Sequence, residues 1–227
     1  MKAFNTTAVC VPSKHYMVDL SERVREIKKL VDAGKYFTIN RARQYGKTTT
    51  LTALRNCLLN EYTVLSLDFQ KISKAGFSTE ETFVQEFSRL VWNKRKTTKG
   101  LSDDLIHKTE MWKDADHPTT RLGGMFDALS EWCDYSERVI ILMIDEVDSA
   151  TNNQVFLDFL AQLRDGYIAR DTDGTPTFQS VILAGVSDVK HLKSKIHSEE
   201  DSKENSPWNI AADLWKAEHA ADPGAIH

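Results

Sequence analysis

Three residue types that handle phosphate stand together in Asn40-Arg41-Ala42-Arg43-Gln44-Tyr45-Gly46-Lys47-Thr48-Thr49. Gly46 lets a backbone turn and approach an anion without a Cβ clash. A helix opening at Lys47 would aim its unpaired first N–H groups, and the positive end of its dipole, at the same place. Lys47 would reach a β- or γ-phosphate as a point charge. The Thr48 hydroxyl is a hard oxygen ligand of the kind Mg²⁺ takes. The expected phosphate-binding set is therefore Arg43, Gln44, Tyr45, Gly46, Lys47, Thr48 and Thr49. The pattern G-x-x-x-x-G-K-[ST] is incomplete, since Arg41 stands where its first glycine belongs. A basic strand-to-helix turn is the plainer reading of this stretch alone.

A second constellation lies about a hundred residues on. The run Val139-Ile140-Ile141-Leu142-Met143-Ile144 ends in Asp145-Glu146. An apolar strand that delivers acids at its C-terminal end puts them where ligands bind in open α/β sheets. Asp145 would hold a metal ion, and Glu146 would take a proton from an attacking water. One Asp after a strand is ordinary turn chemistry. An acid pair after so apolar a run, following a Gly-Lys-Thr, points to a phosphate-binding nucleotide site, with Thr48 and Asp145 on a Mg²⁺ ion. Asp148 is expected to cap a helix beginning near Thr151.

The elements that must position these residues are legible from periodicity. A helix starts at 19–21, with Val24, Ile27, Leu30 and Val31 on one stripe, and Gly34 ends it. Residues 36–39 read as a strand, 47–60 as a helix, 62–69 as a strand and 79–92 as a helix. Helices are expected over 121–132 and 154–169. Residues 139–144 and 181–184, apolar without alternation, read as parallel strands buried on both faces. Residues 94–116 are polar and give no clear element. Alternating strands and helices make the fold class α/β, a mostly parallel sheet with flanking helices.

Composition sets the outer bounds. The chain has 227 residues, 41% of them apolar and 27% charged, enough for a core without disulfides or a structural metal. A net charge of −4 argues against a nucleic-acid coat protein. The three cysteines, Cys10, Cys57 and Cys133, fit neither a disulfide framework nor a zinc spacing. A cytoplasmic location follows from that usage and from the lack of a leader or a membrane span.

The stretch Tyr36–Thr48 resembles the predicted AAA-ATPase-like proteins of bacteria, within the additional-strand class of P-loop NTPases. That family shows Tyr-Phe-(Thr/Val)-Ile-(Asn/Ser)-Arg-Pro-Arg-(Arg/Gln)-(Phe/Tyr)-Gly-Lys-(Thr/Ser). Here Ala42 takes the place of a common proline, and Arg at the first-glycine position is tolerated. Ile144-Asp145-Glu146-Val147-Asp148 resembles its Walker B segment. Residues 180–193 are similar to its sensor 1 strand and loop, and 206–213 to the segment after it. The resemblance implies an AAA-like P-loop core over 19–213, preceded by an irregular segment over 1–18. It implies catalytic roles for Glu146, Lys47 and Ser187, the last orienting water; a strand-end turn is the alternative for Ser187. The likeness stops at Asp213. Residues 214–227 match nothing in the family, so a truncated or frameshifted product is expected, with turnover more affected than binding.

Several other residues carry two readings. Arg164, on the helix after the acid pair, either points toward phosphate or is a solvated helix residue. Arg41 and Arg43 either stabilise transition-state charge or form local ion pairs. Lys94, Arg95, Lys96 and Lys99 form a basic cluster near Trp92. It either contacts nucleic acid or complements a helix C-terminus. No histidine pair has zinc spacing, and Trp112, Trp132 and Trp208 read as packing residues. The leading expectation is an ATP-binding domain that hydrolyses the γ-phosphate. A non-catalytic nucleotide-binding switch or interaction module is the alternative, and a nucleic-acid-associated module the second alternative. ATP is the expected partner, a protein partner stays open, and no membrane is expected.

Overall fold

The structure, a computed structural model, describes residues 20–40, 47–94, 97–98, 107 and 121–185. Four strands carry it: β1 (Tyr36–Asn40), β2 (Thr63–Asp68), β3 (Ile140–Asp145) and β4 (Ser180–Gly185). They form one wholly parallel sheet in the order β1-β4-β3-β2. Among the described residues the α-helices that accompany them are α1 (Ser21–Asp32), α2 (Lys47–Leu58), α3 (Glu80–Lys94), α4 (Leu122–Tyr135) and α5 (Gln154–Asp173). The α/β class expected from the alternating pattern is the class observed.

The sheet is buried on both faces, and its two inner strands are almost wholly apolar, Ile140–Ile144 in β3 and Val181–Ala184 in β4. Ile140 to Ile144 are each at most 2% exposed, as a central strand between β4 and β2 requires. Side chains alternate between two cores. Phe37, Ile39, Ile141, Met143 and Ile182 pack with Val24, Ile27 and Val31 of α1 and Leu51, Leu54 and Leu58 of α2. Leu65, Leu67, Leu142, Ile144 and Leu183 pack on the opposite face, with Phe83 and Phe87 of α3, Leu129 and Trp132 of α4, and Phe159 of α5. Trp132 is therefore a packing residue. Phe69, just past β2, meets Phe83 at 6.0 Å and Phe156 at 6.1 Å, both edge to face. Those contacts anchor the C-terminal end of β2.

At the end of the sheet where the strands begin, Arg170 bridges several segments. Arg170 donates to the carbonyls of Phe178 and Gln179 through Nη1, at 3.1 and 3.0 Å, and to that of Gly34 through Nη2, at 2.9 Å. Its guanidinium lies 4.8 Å from the Tyr167 ring centre and 5.6 Å from that of Tyr36. Gly34, at φ +68°, ends α1 as expected and lets the chain turn beneath that guanidinium. α5 runs to Asp173, beyond the expected 169. Its end comes at Gly174, which takes the left-handed cap conformation.

Candidate functional site

The four strands end along one edge of the sheet. Asn40 is in register with Gly185, and Asp68 with Asp145. Lys47 is the first residue of α2, and Asp145 is the last of β3. The fold brings them together. Lys47 Nζ lies 2.9 Å from Asp145 Oδ1 and 2.8 Å from Glu146 Oε1, a contact between residues 99 apart in sequence. The Lys47 side chain is 9% exposed, and those of Asp145 and Glu146 are 20% and 31% exposed. Lys47, Asp145 and Glu146 thus form one charged cluster.

Burial alone would push the Lys47 ammonium toward neutrality. The hydrogen bonds and charges of Glu146 and Asp145 outweigh it, so the net effect raises its pKa above the ordinary value. Lys47 is therefore a full positive charge at neutral pH. The acids are placed by the turn that follows β3. Glu146 N–H donates to Asp145 Oδ1 at 2.8 Å, and Glu146 takes φ 56°, ψ 41°. It is the sole non-glycine residue with positive φ among the described residues. Such a conformation costs about 1–2 kcal/mol in a residue with a Cβ. Here it reverses the chain so that the carboxylate folds back over Lys47. The Ser149 hydroxyl lies 2.9 Å from the Glu146 carbonyl and 3.2 Å from that of Phe69, tying this turn to the end of β2.

The same turn corrects the expected role of Asp148. α5 starts at Gln154, and Asn153 holds the N-cap position. Asp148 belongs to the single 3₁₀ turn Val147–Ser149 and lies against the last residue of β4. A Cβ on Gly185 would stand 2.9 Å from Asp148 Oδ2 and 3.0 Å from Val147 Cγ2. Asp148 thus sits in the turn after β3, with its carboxylate against Gly185, and Asn153 takes the N-cap position of α5.

Thr48 is exposed in the first turn of α2, where its carbonyl accepts a 2.8 Å bond from the Thr52 hydroxyl; Thr49 is half-buried. Arg41, Arg43, Gln44, Tyr45, Gly46 and Ser187 lie outside the described residues, as do 1–18, the sensor-like loop after Gly185 and the tail over 214–227. Arg164 lies midway along α5, half-buried, with its Nε enclosed. Of the basic cluster, Lys94 is described. Burial lowers its pKa, and the neighbouring charges of Lys71 and Arg55 lower it further. Arg95, Lys96 and Lys99 lie outside the described residues.

No group of three His, Cys, Asp or Glu side chains placed to hold a metal occurs among the described residues. The Thr48 hydroxyl and the Asp145 carboxylate suit an ion that completes its shell with water and substrate phosphate, as Mg²⁺ does.

Two features escape a reading of the sequence. One is Asp68, whose main chain pairs in register with Asp145 and whose Oδ1 accepts the Gln70 N–H at 3.0 Å. Its signal was present, since Thr63–Asp68 is another strand that ends in an acid. The other is the direct bond between Lys47 and Glu146, which no spacing rule announces.

No helix among the described residues is long and apolar enough to cross a membrane. No family model matches this chain, and no curated protein matches it. Among solved structures, it is similar to a chain in the structure of Drosophila ORC bound to DNA, at 12% identity and a TM-score of 0.47. That match covers 81% of this chain and 28% of the other. A chain in the structure of Drosophila ORC bound to AT-rich DNA and Cdc6 is similar at 14% identity and a TM-score of 0.40, over 82% of this chain and 59% of the other. This chain thus spans less than two thirds of either.

Proposed function

We propose that this chain is a nucleotide-binding domain of the AAA-like P-loop kind, which binds Mg-ATP and hydrolyses its γ-phosphate. The observation that carries the reading is the meeting of Lys47, at the start of a helix that follows β1, with Asp145 and Glu146 at the end of β3. An ammonium and two carboxylates at the C-terminal edge of a parallel sheet stand where phosphate and its metal are handled in such folds. The strand order adds support. β4 is an additional strand set between β1 and β3, in keeping with the class that the sequence resembles.

In this reading, the segment from Arg43 to Gly46 and the first N–H groups of α2 cradle the phosphates. Lys47 sets its charge against the β- and γ-phosphates. Thr48 and Asp145 would hold Mg²⁺, which when bound neutralises phosphate charge and orients the chain of phosphates. Glu146 accepts the proton of a water whose oxygen bonds to the γ-phosphorus as the bond to the β-phosphate oxygen breaks. Ser187 orients that water. Catalysis is then positioning and electrostatics, with no covalent enzyme intermediate.

The test is Glu146→Gln assayed for ATP binding and for phosphate release on the same preparation. The reading predicts retained binding with release reduced at least a hundredfold, the scale of a lost general base (~10²–10⁴). Unchanged release would refute the role of Glu146.

A further inference from the structure

We propose that Lys47 and Glu146 form a latch that holds the catalytic base until phosphate arrives. The proposal rests on the phosphate-site reading above and concerns how that site is regulated. It starts from the described geometry alone. Lys47 Nζ is bonded to two carboxylates at once, 2.9 Å from Asp145 and 2.8 Å from Glu146. The group that should bind phosphate and the group that should activate water are therefore spent on each other.

An ammonium has three N–H donors, and two point at these acids. One positive charge among two negative ones leaves the cluster with a net charge of about −1. An incoming phosphate must enter against that charge and take Lys47 from at least one carboxylate. Asp145 is the acid less free to yield, since its Oδ1 also accepts the Glu146 N–H at 2.8 Å. Glu146 is the more exposed partner and holds Lys47 through its side-chain end alone. Phosphate thus displaces Glu146 first. The carboxylate that leaves Lys47 is then the one free to accept a proton from water. The base is engaged until the substrate is in place, and binding triggers its release.

The latch also has a thermodynamic signature. Glu146 competes with the nucleotide for Lys47, so neutralising Glu146 tightens nucleotide binding even without metal. ADP in EDTA is the probe, because it carries a β-phosphate for Lys47, needs no turnover and leaves the metal out. The 227-residue chain, Glu146→Gln and Glu146→Asn are titrated calorimetrically, with thermal unfolding showing that each is folded. Asn suits the left-handed backbone of residue 146 and shortens the side chain. Asp68→Asn is the control, since it removes an acid from the same edge that is not bonded to Lys47 and keeps the Oδ1 that caps Gln70.

The proposal predicts that both Glu146 variants bind ADP about tenfold more tightly than the unsubstituted chain, the low end of a charge-assisted hydrogen bond. Asp68→Asn shifts affinity less than about twofold, as an acid outside the latch. Equal or weaker binding by the Glu146 variants overturns the latch and leaves the phosphate-site reading standing. An equal gain in Asp68→Asn also overturns it, because the effect is then general charge. No ADP binding by any of the folded proteins overturns the phosphate-site reading, and the latch with it.

Discussion

Replacing Gly185 with alanine should disturb the turn that carries Glu146. Gly185 is the last residue of β4, and Val147 and Asp148 pack directly on its α-carbon. An added Cβ would lie 2.9 Å from Asp148 Oδ2, 3.0 Å from Val147 Cγ2 and 3.2 Å from Asp148 Cγ. Ordinary van der Waals contact begins at 3.4 Å, so the Val147 methyl must give by about 0.4 Å. Val147 is fully buried and has little room to move. Overpacking of this kind costs about 1–3 kcal/mol, against a gain of about 0.5–1 kcal/mol from removing a glycine from a strand. The net expectation, from the middle of the two ranges, is a loss of about 1 kcal/mol, read as a lower urea midpoint at unchanged slope. Gly123 supplies the contrast. It lies in α4 with nothing within 4 Å of its added Cβ, so Gly123→Ala should gain about 1 kcal/mol. If Gly185→Ala matches Gly123→Ala in stability, the packing argument at the end of β4 is wrong.

Three further perturbations test other parts of the account. Arg170→Met removes three carbonyl hydrogen bonds and the guanidinium stacked on Tyr167, so urea unfolding should show a loss of about 3 kcal/mol; a loss under about 1 kcal/mol would show that the clamp is dispensable. Burial pushes the Cys133 thiol up to about 12, so at pH 8 its thiolate fraction is about a thousandfold below that of an ordinary thiol. Iodoacetamide footprinting should find Cys133 protected in the folded chain and alkylated in urea, and fast labelling under native conditions would contradict its placement. Burial and then the neighbouring Asp32 carboxylate raise the Tyr62 phenol to about 12, while in the unfolded chain it ionises near 10. The folded state therefore holds that proton longer, and the stability it confers is present below pH 10 and lost as pH rises toward 12. Thermal midpoints between pH 9 and 11.5 should fall less steeply in Tyr62→Phe than in the unsubstituted chain; parallel curves would exclude this contribution.

The parts of the fold carried by local pattern could be read before the structure. The unbroken runs Ile140–Ile144 and Val181–Ala184 have a composition that suits strands buried on both faces, and β3 and β4 are the two strands flanked on both sides. Gly34 could be placed because an α-helix commonly ends on a left-handed residue. The stripes of α1 and α3 gave their buried faces, Val24, Ile27 and Val31 in one and Phe83, Phe87, Leu90 and Val91 in the other. The span 154–169 has the start of α5 right; what local pattern misassigns is its cap, because Asp148 lies in the 3₁₀ turn after Glu146 and Asn153 holds the N-cap position. The site was legible as types and spacing: Lys47, Asp145 and Glu146 each follow from a motif. Their mutual bonds were not. They depend on the left-handed backbone at Glu146, a conformation glutamate rarely adopts and no local signal marks. Arg170 was likewise invisible, since its clamp joins the carbonyls of Phe178 and Gln179, just past its own helix, to that of Gly34, 136 residues away.

The central claim is that Lys47, Asp145 and Glu146 form a nucleotide phosphate site. Its most direct test is Mg²⁺-dependent ATP binding by the 227-residue chain and by Lys47→Ala, each verified as folded. The account predicts saturable binding by the unsubstituted chain and a loss of at least tenfold in the variant, the value of one charge-assisted contact to phosphate. Equal affinity in the two proteins, or no binding by the folded unsubstituted chain, would contradict it.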